Sequence, residues 1–183
     1  MSKILITKAG QDILARKMKH ALDTALLEGP RTTEEIMISL VILLIGGKYD
    51  YKVILDRITG RDGDGGFRRM EQVDVEDIAI ETIQRLTQII PPHKRTSAGR
   101  PAESYQIGEL IGSIINADTY LSNMATSDVL THVPRHTLME LIKDALPAKD
   151  LARMCKGELI ATIVSLQADW HPTSFSSFTE DLS

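Results

Sequence analysis

Apolar positions recur at three- and four-residue spacing through residues 9–28. Ile13, Leu14, Met18, Ala21, Leu22, Ala25 and Leu26 fall on one stripe, which predicts an amphipathic helix stopped by Gly29-Pro30. Thr32 or Thr33 then caps a second helix, with Glu34 and Glu35 placed where the helix dipole favours acids. That helix runs to Ile45, is apolar nearly all round between Ile36 and Ile45, and ends at Gly46-Gly47. The run is shorter than the about 20 residues that a bilayer requires, so it reads as a fully buried helix. A third helix is predicted over 49–58, a loop over 60–66 and an extended stretch over 67–73. Asp74 opens a further helix carrying Ile78, Ile80, Ile83, Leu86 and Ile90, which Pro91-Pro92 ends.

Residues 103–107 read as a strand, and 109–121 returns to helix. Residues 123–134 form a connector. Two helices, 137–146 and 151–166, join at Pro147, and the Ser/Thr/Phe-bearing end from Trp170 reads as loose, with Trp170 as its docking point. The expected fold is mainly α (α+β): a helical domain over 1–122 with a small β-hairpin or wing, a C-terminal helical hairpin over 135–168, and a flexible tail over 169–183. Residues 3–7 add a short β-prone stretch.

Composition narrows the function classes. Aromatics make up 4% of the 183 residues, few for a base-stacking platform, and the core must come from aliphatic side chains. A single cysteine, Cys155, excludes an internal disulfide and points to a reducing, cytoplasmic setting. Residues 1–7 lack the apolar core of a leader peptide. The net charge of −4 argues against a general polyanion coat, but the cations are unevenly placed. Residues 1–20 hold Lys3, Lys8, Arg16, Lys17 and Lys19 against Asp12, and 91–101 holds Lys94, Arg95 and Arg100 with no acid. Residues 71–90 are acidic.

Several chemistries fail on spacing. Asp62-Gly63-Asp64-Gly65-Gly66 resembles a calcium loop, but its fifth and twelfth positions are Gly66 and Val73, which supply no side-chain ligand. Gly46-Gly47-Lys48 lacks the spacing of a phosphate-binding loop. His132 and His136 stand four apart, but Pro134 interrupts the helix that would align them on a metal. Cys155, beside Lys156, reads as a half-buried structural thiol within a helix. No nucleophile elbow, diagnostic carboxylate pair or cofactor fingerprint is present, so neither enzymatic activity nor a cofactor is expected.

The segment 91–101 carries three cations, with Gly99 and Pro101 around Arg100, and then residues 103–107. It fits either a DNA-contacting wing or a solvated linker. Gly99-Arg100-Pro101 followed by Tyr105-Gln106-Ile107 resembles the wing strand of prokaryotic winged helix-turn-helix regulators. Residues 39–58 are similar to the helix-turn-helix of phage regulators of the Rha family. The usual His after the Gly-Lys turn is replaced near Asp50, and the Asp and Arg before Ile58 are shifted in register. The resemblance implies a DNA-binding regulatory or accessory protein of a phage or other mobile element. Lys48, Lys52 and Arg57 would lie on the recognition helix, while Lys94, Arg95 and Arg100 would hold phosphates of double-stranded DNA. Residues 137–164, with Lys156-Gly157-Glu158-Leu159-Ile160, resemble SAP-type or Rho-N-type helical modules, although packing of Leu138, Leu141, Ile142, Leu159, Ile160 and Ile163 accounts for the same pattern. The alternative is a protein-interaction factor, an inhibitor of a host protein or an assembly subunit, without nucleic-acid binding. The acidic balance and the apolar excess of the second helix favour it, and the excess also points to a homo-oligomer. No membrane partner is expected.

Overall fold

The computed structural model describes residues 6–46, 72–95 and 106–175. Helix α1 (Lys8–Glu28) is its axis. Thr7 caps it, the hydroxyl accepting from the Gly10 amide at 3.3 Å, and the Gly29 amide closes the other end on the Ala25 carbonyl. The buried face of α1 comprises Leu14, Ala15, Met18, Ala21, Leu22, Ala25 and Leu26, the stripe that periodicity predicts, less Ile13 and plus Ala15.

Helix α2 (Thr33–Gly46) starts on a reciprocal cap. The Thr32 hydroxyl accepts from the Glu35 amide at 3.2 Å, and the Glu35 carboxylate accepts from the Thr32 amide at 2.8 Å. Helix α3 (Gln72–Leu86) begins two residues before the predicted start and stops four before the predicted end. Ile90 precedes Pro91, and the proline ring disfavours helical backbone in the residue before it, so Ile90 stands outside the helix. Helix α4 is Ile107–Ile114, α5 Ser127–Leu130, α6 Arg135–Leu141, α7 Ala148–Arg153 and α8 Lys156–Ser165. Short 3-10 turns cover Pro92–Lys94 and Ala117–Tyr120.

Helix α1 touches α3, α4, α5 and both 3-10 turns. Helix α2 packs on α3 and α4, while α8 packs on α6 and α5. Buried residues from Leu14 to Phe175 form one hydrophobic cluster that includes Leu138, Leu159 and Ile163 of the C-terminal hairpin. The end of the chain, loose on composition, contributes Trp170 and Phe175 to that cluster. The Trp170 carbonyl accepts from the Met124 amide at 3.0 Å, and the Phe175 amide donates to Asp118 at 2.7 Å. Among the described residues no helix is long and apolar enough to cross a membrane.

The expected β-hairpin wing is corrected. No strand occurs among the described residues. Pro91 and Pro92 fix their φ near −65° and turn the chain into a 3-10 bend in which the Lys94 amide donates to the Pro91 carbonyl at 2.9 Å. Ile107, assigned to a strand from sequence, is the first residue of α4, where Ile107 and Ile111 stand four apart on one face. Thr7, the end of the β-prone 3–7, is a helix cap. The predicted helix over 49–58 and the loop over 60–66 lie outside the described residues. So do Lys48, Lys52, Arg57, Arg100 and most of the candidate wing.

Candidate functional site

Asp12, Ala15, Arg16 and Lys19 stand on one face of α1 at the spacing that makes helical neighbours. Across from them runs the segment after α3, with Gln88, Ile89, Pro91 and Lys94, and the two walls enclose an open groove of about 430 Å³. The segment reaches this position because Gly108 of α4 lies against its backbone. A Cβ at 108 would stand 2.6 Å from the Gln88 carbonyl oxygen, so only glycine permits that approach.

The groove joins the two basic stretches of the sequence. Lys94 donates to Asp12 at 2.8 Å, and His93 Nε2 lies 3.5 Å from the same oxygen. Gln11 Oε1 accepts from the His93 amide at 3.2 Å and stands 3.0 Å from His93 Nδ1. An oxygen cannot donate, so Nδ1 carries a ring proton, and Nε2 is the nitrogen that faces Asp12. The Lys94 hydrogen bond, aided by the charges of Lys94, His93 and Arg16 and opposed by partial desolvation, holds the Asp12 carboxyl below its ordinary range. Lys19 donates to the Gln84 carbonyl at 2.9 Å and pairs with Asp23. Arg16 is exposed and forms no ion pair among the described residues.

Arg95, a predicted phosphate contact, points the other way. Its Nε donates to the Ile90 carbonyl at 2.8 Å, and its Nη2 pairs with Glu109, which is 1% exposed. Burial raises the Glu109 pKa, and the Arg95 charge opposes that rise. The other oxygen, Oε2, has no hydrogen-bond partner among the described residues. Arg95 therefore anchors the basic segment to α4, and Lys94 is the one predicted contact that the described structure places in the groove. Arg16 and Lys19 were not singled out from sequence. Their signal was there, two cations on the polar face of a long helix, but the opposite wall was not.

A second surface lies on α2. Ile36, Leu40 and Leu43 are buried, whereas Ile38, Val41 and Ile45 are 42%, 50% and 82% exposed. The exposed three are spaced by three and four residues and so form a line about 10 Å long. Leu27 of α1 is also exposed. Near the start of α2, Thr33 donates to Glu76 of the acidic α3.

The C-terminal hairpin spends its polar groups internally. Arg135 Nη2 donates to the Ala152 and Met154 carbonyls at 3.0 and 2.9 Å, and Lys156 to the Thr131 carbonyl at 2.7 Å. The single long helix expected over 151–166 is split into α7 and α8. Cys155 is the exposed cap of α8, and not the half-buried thiol within a helix that the sequence pattern implied. His132 Nδ1 bonds the Thr7 hydroxyl at 2.9 Å, and no metal-competent cluster occurs among the described residues. No protein-family model, curated protein or solved structure matches the chain.

Proposed function

We propose that the chain is a protein-interaction factor that docks a partner on the outer face of α2. The observation that carries the reading is the line Ile38, Val41 and Ile45. A helix that is apolar all round belongs in an interior, and among the described residues only one face of α2 is covered. Desolvating three aliphatic side chains supplies a hydrophobic anchor of the kind that dominates interfaces. The test compares wild type with an Ile38→Ser/Val41→Ser/Ile45→Ser variant by sedimentation equilibrium and by affinity capture, with far-UV circular dichroism as the control for folding. The reading expects the wild type to associate with itself or with a captured protein, and the folded variant to do neither. An unfolded variant would place the face in the chain's own core and defeat the reading.

A second reading, a DNA-binding regulatory or accessory protein of a mobile element, is favoured by the convergence of Arg16, Lys19 and Lys94 on one groove. It no longer includes a wing. Phosphate contacts make affinity fall steeply with salt, whereas an apolar interface responds little, so duplex binding measured at two salt concentrations separates the readings.

A further inference from the structure

We propose that the groove between α1 and residues 88–94 binds a phosphate group, and that Asp12 is a built-in anion which the phosphate must displace. The inference goes beyond both readings above, because it requires only a phosphate, whether from a nucleic-acid backbone or from a free nucleotide.

Cations come from both walls: Arg16 and Lys19 from α1, Lys94 from the segment opposite. The Arg16 guanidinium is exposed and forms no ion pair among the described residues, and its planar fork suits two phosphate oxygens at once. Ala15, Ile89 and Pro91, whose side chains carry no polar group, complete the lining with Gln88. A volume of about 430 Å³ falls within the ordinary size of small-ligand clefts.

Asp12 occupies the centre of this arrangement. Its carboxylate holds Lys94 at 2.8 Å, faces His93 Nε2 at 3.5 Å, and lies one helical turn before Arg16. It therefore stands where an incoming anion would find the most positive charge. Arg16, Lys19 and Lys94 against Asp12 and Asp23 leave the neighbourhood one charge positive without counting His93. Removing the charge of Asp12 doubles that excess and frees Lys94. Two like charges about 4 Å apart in water repel enough to change an affinity by roughly fivefold, so Asp12→Asn should tighten phosphate binding by about that factor. Arg16→Ala should weaken it by at least as much, because a guanidinium–phosphate fork is lost.

The test is fluorescence anisotropy at low and at physiological salt with two probes, a labelled 16-base-pair duplex and a fluorescent adenosine triphosphate. Wild type, Asp12→Asn, Arg16→Ala and Arg16→Ala/Lys19→Ala are compared, each checked for helicity. Support is the ordering Asp12→Asn tighter than wild type, wild type tighter than Arg16→Ala, and the double variant weakest, for either probe. The probe that shows the ordering identifies the source of the phosphate. The inference is overturned if neither probe binds at low salt, if Arg16→Ala binds as wild type does, or if Asp12→Asn binds no tighter. Duplex binding that ignores Arg16 and Asp12 would overturn the groove as the phosphate site and put the duplex contact elsewhere on the chain.

Discussion

Arg95 and Glu109, fourteen residues apart, form a buried ion pair that ties the basic segment after α3 to the first turn of α4. The pair explains why Arg95 does not face the groove beside Lys94. Once Glu109 is 1% exposed, its charge has to be met from within the protein, and Arg95 meets it.

Removing Arg95 should therefore destabilise the fold in a pH-dependent way. Burial raises the folded-state pKa of Glu109 above its ordinary value. The folded state then binds the proton more tightly, and stability falls as pH rises through the folded-state pKa. Arg95→Gln removes the opposing charge, lifts that pKa further and extends the loss to higher pH. The variant should lie near wild type at about pH 4, where Glu109 is protonated in both, and lose about 3–5 kcal/mol at neutral pH, the range for breaking a buried pair. Urea unfolding across this pH range checks it. A pH-independent difference would mean that Arg95 stabilises through packing and its hydrogen bond to the Ile90 carbonyl, and not through the charge of Glu109.

Gly112 and Phe175 offer a sharper steric test. A Cβ at 112 would stand 2.1 Å from Phe175 Cδ1, and Phe175 is fully buried. Alanine normally stabilises a helix interior by up to about 1 kcal/mol over glycine. Here Gly112→Ala should instead destabilise by about 1–3 kcal/mol, the cost of overpacking, and expel the ring. Trp170, five residues earlier and 8% exposed, should report the release as a red shift of its fluorescence. In a Phe175→Ala background the same alanine should be neutral or stabilising. Equal effects in both backgrounds would contradict the clash.

These residues mark what the sequence could reveal. The end of α3 was not read correctly from Pro91-Pro92, since the helix stops at Leu86, but the α1 stripe and the threonine–glutamate cap of α2 were legible because each depends on residues within a turn or two of one another. The wing was not. Its residues are compatible with a strand, and the preference of Ile107 for α4 is set by burial of Ile111 and by the glycine contact with Gln88, some twenty residues away. For the groove, both basic stretches were visible separately, but their meeting is a packing event eighty residues apart. Glu109 stands in the first turn of α4, where the helix dipole favours an acid whether or not it is buried. Nothing local to it announced a buried partner for Arg95.

Helix α8 ends on Gln167, whose φ of 50° lies in the left-handed region. The Gln167 amide donates to the Val164 carbonyl at 3.1 Å and the Ala168 amide to the Ile163 carbonyl at 3.4 Å, the two bonds of a Schellman turn. Glycine ordinarily fills this position because a Cβ collides with the neighbouring carbonyl there, at a cost of about 1–2 kcal/mol. Gln167→Gly should remove that cost, partly offset by the extra entropy of glycine in the unfolded chain, for a net gain of about 0.5–1 kcal/mol. For a chain of this size the gain corresponds to a melting temperature roughly 1–4 °C higher. Gln167→Val, branched at Cβ, should lower it. The turn also aims the chain, because the Ala168 carbonyl accepts from Asn123 Nδ2 at 2.8 Å just before Trp170 enters the core. The valine variant should accordingly expose Trp170 to quenching by iodide at temperatures below its melt. If glycine gave no gain and valine no loss, the left-handed residue would carry no strain, and the direction of the chain into the core would have to be set by Asn123 and Trp170 themselves.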